Sequence, residues 1–451
     1  MNLVYGIKDK PKFGQLIVFA FQQLLAILAA TIAVPAIVGN GMSQSAALFG
    51  AGVGTIVYLL FTKFRSPVFL GSSFAFLGSM FAAFAGAVST EAGYAGIILG
   101  AIFAGLVYVV IALVVKFAGV KWINKLMPAV VIGPTVAIIG LSLAGNAVGD
   151  ALHFAENDGS AFVMGAHGWV GFICALVTLF VIMICSVFGK KMARLIPFII
   201  GIVAGYAVAT CFTLIGMKTG NDNLMIVDFS LFQNMQWVPD FTFLQAAKGL
   251  SAIDGKYIAT IAVAYIPVAF VVFAEHIADH KNLSSIINHD LLEEPGLHRT
   301  LLGDGVGSIV GAIFGGCPNT TYGESVGCVA ITGNASVVTI LATAILAIIV
   351  SFFGPFVTFL ATIPSCVMGG VCITLYGFIA VSGLKMLQKV DLGQNKNLFV
   401  VSVILIAGIG GMTLKIGQVT ITEIAAALIL GIITNLILSR KKDEGDEAAA
   451  V

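Results

Sequence analysis

An all-α protein that crosses a lipid bilayer many times is the architecture this sequence predicts, and three observations predict it. Hydrophobic residues make up 59% of its 451 residues and charged ones only 10%, and the mean hydropathy is +1.04, well outside the range of soluble globular chains. Apolar runs of bilayer-spanning length, about 20 residues each, recur along nearly the whole chain. The basic residues gather in alternate polar breaks between those runs. A net charge of +1 gives no sign of a nucleic-acid partner.

In chain order the clearest apolar runs are Leu16–Val38, Gly96–Val115, Trp169–Val187, Ile196–Ile215, Val337–Phe353, Leu398–Met412 and Ile421–Leu438. With the shorter and Gly-interrupted runs added, the total reaches about 14 spans of a hydrocarbon layer about 30 Å thick. The first run is of spanning length and lacks a small-residue cleavage site, so it is expected to stay as the first helix. All seven cysteines, Cys174, Cys185, Cys211, Cys317, Cys328, Cys366 and Cys372, lie in apolar segments without a CxxC pair. Small packing residues are therefore expected, not a disulfide frame or a zinc cluster.

With a cytoplasmic N-terminus and an even number of spans, 19 of the 23 Lys and Arg residues fall on the inner side. Only Lys218, Lys248, Lys256 and Lys415 are left outside, which is the bias of cytoplasmic loops. Both termini are expected in the cytoplasm. Lys218–Lys256, with Trp237 and Pro239, reads as an outer loop lying on the interface. His280–Thr300, with "NHDLLEEPGLHR", reads as an inner loop, and the tail "RKKDEGDEAAAV" as a solvated charge run.

A charged side chain at the bilayer centre costs about 2.5–3.5 kcal/mol on insertion scales and so faces a protein interior or an aqueous cavity. Glu275, Asp279, Asp304 and Glu324 are such residues, whereas Glu423 begins the last span and is expected at the interface. Glu275 and Asp279 lie four apart and share one helix face; the competing account is that both mark a helix end at the inner surface. His276 and His280 repeat at the same interval, but "HIADH" fits neither the H-E-x-x-H nor the H-x-x-E-H order, so no metal is expected. The run "GDGVGSIVGAIFGG" has no nucleotide-binding spacing. It reads as glycines that let helices approach closely, with Asp304 as a cap at the start of that span. An intramembrane aspartyl protease needs G-x-G-D, and Leu301, Leu302 and Gly303 precede Asp304.

Two spans are broken. "CPNTTYGES", Cys317–Ser325, places a proline, then β-prone Thr320, Thr321 and Tyr322, then Gly323 before apolar residues resume; "YLLFTKFRSPVFLGSSFAFLGSM", Tyr58–Met80, repeats the plan around Pro67 and Gly71. Each reads as a short β-strand followed by a half-length helix, in spans 3 and 10. Broken spans in corresponding halves point to a transporter of inverted repeats with its site at mid-membrane, because irregular backbone is tolerated there only where it lines a cavity.

"NTTYGES", "AEHIAD", "GSSFAF", "PGLHR" and "IPSCVMGGVCITLYG", five ordered motifs at matching separations within a likeness that runs from about Gly14 to Leu438, together resemble the nucleobase/ascorbate transporter (nucleobase:cation symporter) family, and within it the bacterial uracil permeases. The resemblance implies 14 spans as two inverted repeats of seven. It divides the chain into a core domain (residues 1–126, spans 1–4, and 257–354, spans 8–11), a gate domain (127–256, spans 5–7, and 355–439, spans 12–14) and a cytoplasmic tail (440–451). It implies a proton-coupled symporter that imports uracil across the cytoplasmic membrane by alternating access, commonly as a homodimer, with no cofactor and no enzymatic activity. Carried over by position, Glu275 and Glu324 hold the base, the backbone amides at Phe74 and Gly323 meet its carbonyls, and Ala30, Tyr322 and Tyr376 wall the ring.

Uracil is flat and neutral, with N–H donors alternating with C=O acceptors, so its reader needs interleaved acceptors and donors. Carboxylates and half-helix amides supply them, with charge-assisted bonds about twice as strong as neutral ones. Removal from water favours the protonated form of a carboxyl group, so a proton shared among Glu275, Asp279 and Glu324 is expected to accompany each base. One charge moved inward is worth about 2.3 kcal/mol per 100 mV, roughly fiftyfold accumulation. The chain departs from the family pattern at Asp279, where some members have His, and at Ser325, where Asn is usual. Glu324 favours uracil over xanthine or uric acid, the runner-up substrates, whose carriers usually have Gln there. An anion channel or exchanger of the same fold predicts a cation at the broken helices, and neither half-helix contains Lys or Arg.

Overall fold

Within lipid every backbone N–H and C=O must be paired inside the protein, so apolar sequence of this kind folds into helices. The computed structural model describes residues 3–119, 128–190, 192–388, 390–416 and 419–439. The expected tail 440–451 lies outside the described residues, as do Lys121, Lys125, Lys191, Lys389 and the boundary between spans 4 and 5 at residues 126 and 127.

The first half runs α1 (Phe13–Val38), α2 (Gln44–Phe61), β1 (Leu70–Ser72), a 3-10 turn (Phe74–Phe76), α3 (Leu77–Gly86), α4 (Thr90–Ala118), α5 (Ala129–Ser142), α6 (Ala144–Ala151), a hairpin of β2 (Glu156–Asn157) and β3 (Phe162–Val163), α7 (Ala166–Phe188), α8 (Met192–Leu195) and α9 (Pro197–Thr219). After it come α10 (Thr242–Gly249), α11 (Gly255–Ile287), α12 (Leu297–Gly315), β4 (Asn319–Thr321), α13 (Gly323–Thr332), α14 (Val337–Ser351), α15 (Gly354–Ala361), α16 (Ser365–Leu387), α17 (Asn395–Ile409), a hairpin of β5 (Leu414–Ile416) and β6 (Val419–Ile421), and α18 (Glu423–Leu438). Side chains fix several helix starts: Ser43, Ser89, Asp254 and Thr422 each accept a hydrogen bond from the first turn they precede.

Among the described residues eight helices are long and apolar enough to cross a bilayer, or nine if α14 and α15, bent by 81°, form one span; three shorter apolar helices, Phe74–Gly86, Asn395–Ile409 and Glu423–Leu438, accompany them. The protein is a multi-pass membrane protein.

Two expectations are corrected. The loop expected over His280–Thr300 is shorter, because α11 continues to Ile287 and α12 begins at Leu297, leaving only residues 288–296 between them. His280 is fully buried there, its ring held by Tyr58 at 2.7 Å. Asp304 is not a cap: it is buried in the middle of α12, which starts seven residues earlier, just after Gly296 takes a left-handed φ of +99°. The segment Lys218–Lys256, expected as an outer loop, is more ordered than a loop, with three 3-10 turns and α10, which packs on α4.

The glycines of α12 do hold helices close. A Cβ on Gly54 of α2 would stand 2.7 Å from the Gly307 carbonyl oxygen of α12, and one on Gly307 would stand 2.8 Å from that of Gly54. Contacts that short do not occur, so the backbones touch only because both positions lack side chains. Gly54→Val or Gly307→Val should therefore lower the melting temperature of the purified protein by several degrees. Gly149→Ala, with no atom within 4 Å of the added carbon, should change it by less than about 1 °C, as read by thermal unfolding in detergent.

Candidate functional site

α2 ends at Phe61 and α12 at Gly315, capped by the left-handed Gly316; beyond Pro67 and Pro318, which cannot donate a backbone hydrogen bond, the residues form strands that complete one another. Leu70, Gly71 and Ser72 pair antiparallel with Thr321, Thr320 and Asn319. Neighbouring side chains finish the pairing and anchor it. Thr55 of α2 accepts from Leu70 N at 2.9 Å and Tyr322 donates to the Ser72 carbonyl at 2.7 Å, while Asn319 fastens β4 to α2 by donating to the Gly50 carbonyl at 3.1 Å. Ser73 N reaches the Pro318 carbonyl at 2.9 Å.

Past the strands, helix resumes in both segments, at Phe74 and at Gly323. The first amides of a helix have no intrahelical partner and carry the positive end of its dipole. Here they stand at a cavity of about 400 Å³ whose lining includes Phe74, Gly323, Glu324, Glu275 and Asp279. Glu275 and Asp279 come from one face of α11 and Glu324 from the first turn of α13. Thr321 of β4 donates to Asp279 Oδ2 at 2.7 Å, so the strand register also orients an acid. Carboxylate acceptors and backbone donors thus border one space, the combination that can read the edge of a small heterocycle.

Of the residues anticipated for the site, Glu275, Asp279, Glu324, Phe74, Gly323 and Tyr322 line this cavity. Ala30 and Tyr376 are buried behind it. Ala30 shares an apolar cluster with Tyr322, and the Tyr376 ring stands edge-on to Phe74 with centroids 6.1 Å apart. The opposite wall comes from residues not anticipated: Val136 and Ile139 of α5, Phe198 of α9, and Leu375, Phe378 and Ile379 of α16. They are apolar residues in apolar helices and carry no local signal. Thr321 was detectable as a hydroxyl in a mid-membrane strand.

Beneath the acids lies a buried polar scaffold. His276 Nδ1 meets Asp304 Oδ2 at 2.7 Å and its Nε2 meets Thr300 Oγ1 at 3.0 Å. His280 stacks on it with ring centroids 4.0 Å apart. Its Nδ1 donates to the His276 carbonyl at 2.8 Å, and its Nε2 faces the Tyr58 hydroxyl at 2.7 Å, which also bonds Ser66. Among the described residues no group of three or more His, Cys, Asp or Glu is placed to hold a metal ion. Ser325, where the family usually has Asn, accepts from Gln23 of α1 at 2.5 Å and so ties α13 to the first helix.

A model described as a permease family matches residues 14–417. The chain belongs to this family, the nucleobase/ascorbate transporters. Among similar chains, "Uracil permease" of Bacillus caldolyticus is 41% identical over 440 residues, 96% of this transporter and 94% of that protein. "Uracil permease" of Bacillus subtilis (strain 168) is 39% identical, covering 97% and 96%, and that of Escherichia coli (strain K12) 33%, covering 96% and 93%. Among solved structures, the transmembrane domain of the cyanobacterium bicarbonate transporter BicA aligns with a TM-score of 0.62 at 17% identity, over 96% of this transporter and 100% of that chain. Murine Solute Carrier 26 family member A9, an anion transporter in the inward-facing state, aligns at 0.64 and 12%, over 96% and 69%. At these identities the likeness is one of fold alone.

The scaffold makes a specific demand on the transporter. Tyr58→Phe leaves the His280 and Ser66 side chains without their shared partner in a dry interior. It should destabilise the protein by about 1–3 kcal/mol, read as a lower melting temperature of the detergent-purified chain.

Proposed function

We propose that this transporter is a proton-coupled symporter that imports uracil across the cytoplasmic membrane by alternating access. The observation that carries the reading is the joint presence of Glu275, Glu324 and the helix starts at Phe74 and Gly323 around one cavity. The Bacillus uracil permeases, at 41% and 39% identity over almost their whole length, support the choice of base. In this reading Glu275 and Glu324 accept from the ring N–H groups, and the amides of Phe74 and Gly323 donate to its carbonyls. Tyr322 closes one side of the ring, and Ala30 and Tyr376 back the walls.

The proton is shared among Glu275, Asp279 and Glu324. The three carboxyl groups border one cavity, and a proton on one of them reduces the charge that the core must carry through the membrane. Thr321 holds Asp279 facing the cavity while the proton is exchanged. The broken helices, with α1, α2, α4, α11, α12 and α14, form the core; the apolar wall of α5, α9 and α16 belongs to the gate. Fourteen spans in two inverted repeats of seven, both termini in the cytoplasm and assembly as a homodimer complete the proposal.

Glu275→Gln and Glu324→Gln should each weaken uracil binding about 10- to 100-fold, the loss of one hydrogen bond to a charged group, while the protein still elutes as a folded species. Uptake of radiolabelled uracil and equilibrium binding measure the effect; unaltered values in both variants exclude this site. Uptake into proteoliposomes should acidify the lumen and rise when the outside is made more acidic. Indifference to an imposed pH gradient contradicts the coupling.

A further inference from the structure

We propose that one water molecule is bound permanently inside the helix packing, held by Asp304 Oδ1, the Tyr108 hydroxyl and the Ser308 hydroxyl. These three oxygens are buried, and no described residue hydrogen-bonds to any of them; the side chains that carry them are 1%, 4% and 6% exposed. All three residues line one small cavity of about 10 Å³ between α4, α11, α12 and β4. That is the space of about one water-sized sphere, and buried waters make about three hydrogen bonds.

The three hydrogen bonds are chemically compatible, and the water's second hydrogen faces the rest of the wall, which includes Asn319 and Thr320. Asp304 Oδ2 is already engaged by His276 at 2.7 Å, so Oδ1 is left to accept one hydrogen from the water. The Tyr108 and Ser308 hydroxyls each have a hydrogen to give to the water oxygen. A bare cation is a poorer occupant. It needs more oxygen ligands than three, and much of the remaining wall is hydrocarbon, from Phe76, Ala104 and Val272. The water joins α4 to α12 and holds the Asp304 carboxylate in the orientation that anchors His276, the residue next to Glu275. It sits behind β4 and is independent of which base the transporter carries.

Tyr108→Phe, Ser308→Ala and the double variant, made in the full chain, distinguish a bound water from orphaned groups by the sign of the effect. Partners of one water should each lower the melting temperature by on the order of 1–3 °C, and the double variant should lose less than the two single losses combined. Hydroxyls that truly lack a partner are better removed, so an unchanged or raised melting temperature overturns the proposal. A wild-type structure at a resolution that reveals other buried waters should show a density peak within about 3.2 Å of all three oxygens. A dry cavity overturns the proposal. So does a melting temperature that rises in sodium chloride but not in choline chloride of equal ionic strength, which marks a cation instead.

Discussion

Backbone that leaves helical geometry in the middle of a bilayer has no water to satisfy it, and each unpaired group there costs several kcal/mol. Two buried segments of this transporter leave helical geometry, and each supplies what the other lacks. The strand Leu70–Ser72 pairs with Asn319–Thr321, Thr55 and Tyr322 cover backbone groups that three residues of ladder leave over, and Asn319 ties the second strand to α2. Neither strand could persist alone. Everything that follows, including the two free helix starts, depends on this mutual repair.

Because both helices restart at the pair of strands, their unpaired amides arrive together at one cavity, and the acids of α11 face them. The surrounding helices are held in that arrangement by contact at the scale of backbone atoms. Gly54 and Gly307 let α2 and α12 touch, while His276, His280, Asp304 and Tyr58 connect α11 to both through buried hydrogen bonds. Polar groups in such a place are tolerable when they are paired. The polar groups gather on one side of the cavity, and the wall across it, from α5, α9 and α16, is largely apolar.

Composition and hydropathy were enough to reveal a membrane protein, and the proline, β-prone residues and glycine of each broken span revealed the strands. That the strands pair with each other was not legible, since three-residue ladders joining positions 70 and 321 leave no periodic trace. Asp304 was misread because its flanking glycines look like the start of a helix, while its true partner, His276, lies 28 residues away in sequence. The polar sequence after His280 suggested a loop because Lys281, Asn282 and Ser285 are exposed polar residues on the last turns of α11, while His280 itself is buried by Tyr58, far off in α2. Glu275, Asp279 and Glu324 stood out because a carboxyl group amid hydrocarbon is costly. Phe198 and Phe378, across the cavity, were hidden by being one apolar residue among many.

The central claim is that paired strands place two carboxylates and two helix starts around a planar base. A structure of the protein solved with uracil bound tests it most directly. The account predicts the ring between Glu275 and Glu324, with its carbonyls within hydrogen-bond distance of the Phe74 and Gly323 amides. Uracil bound elsewhere, or bound in the cavity without contact to either carboxylate, contradicts it.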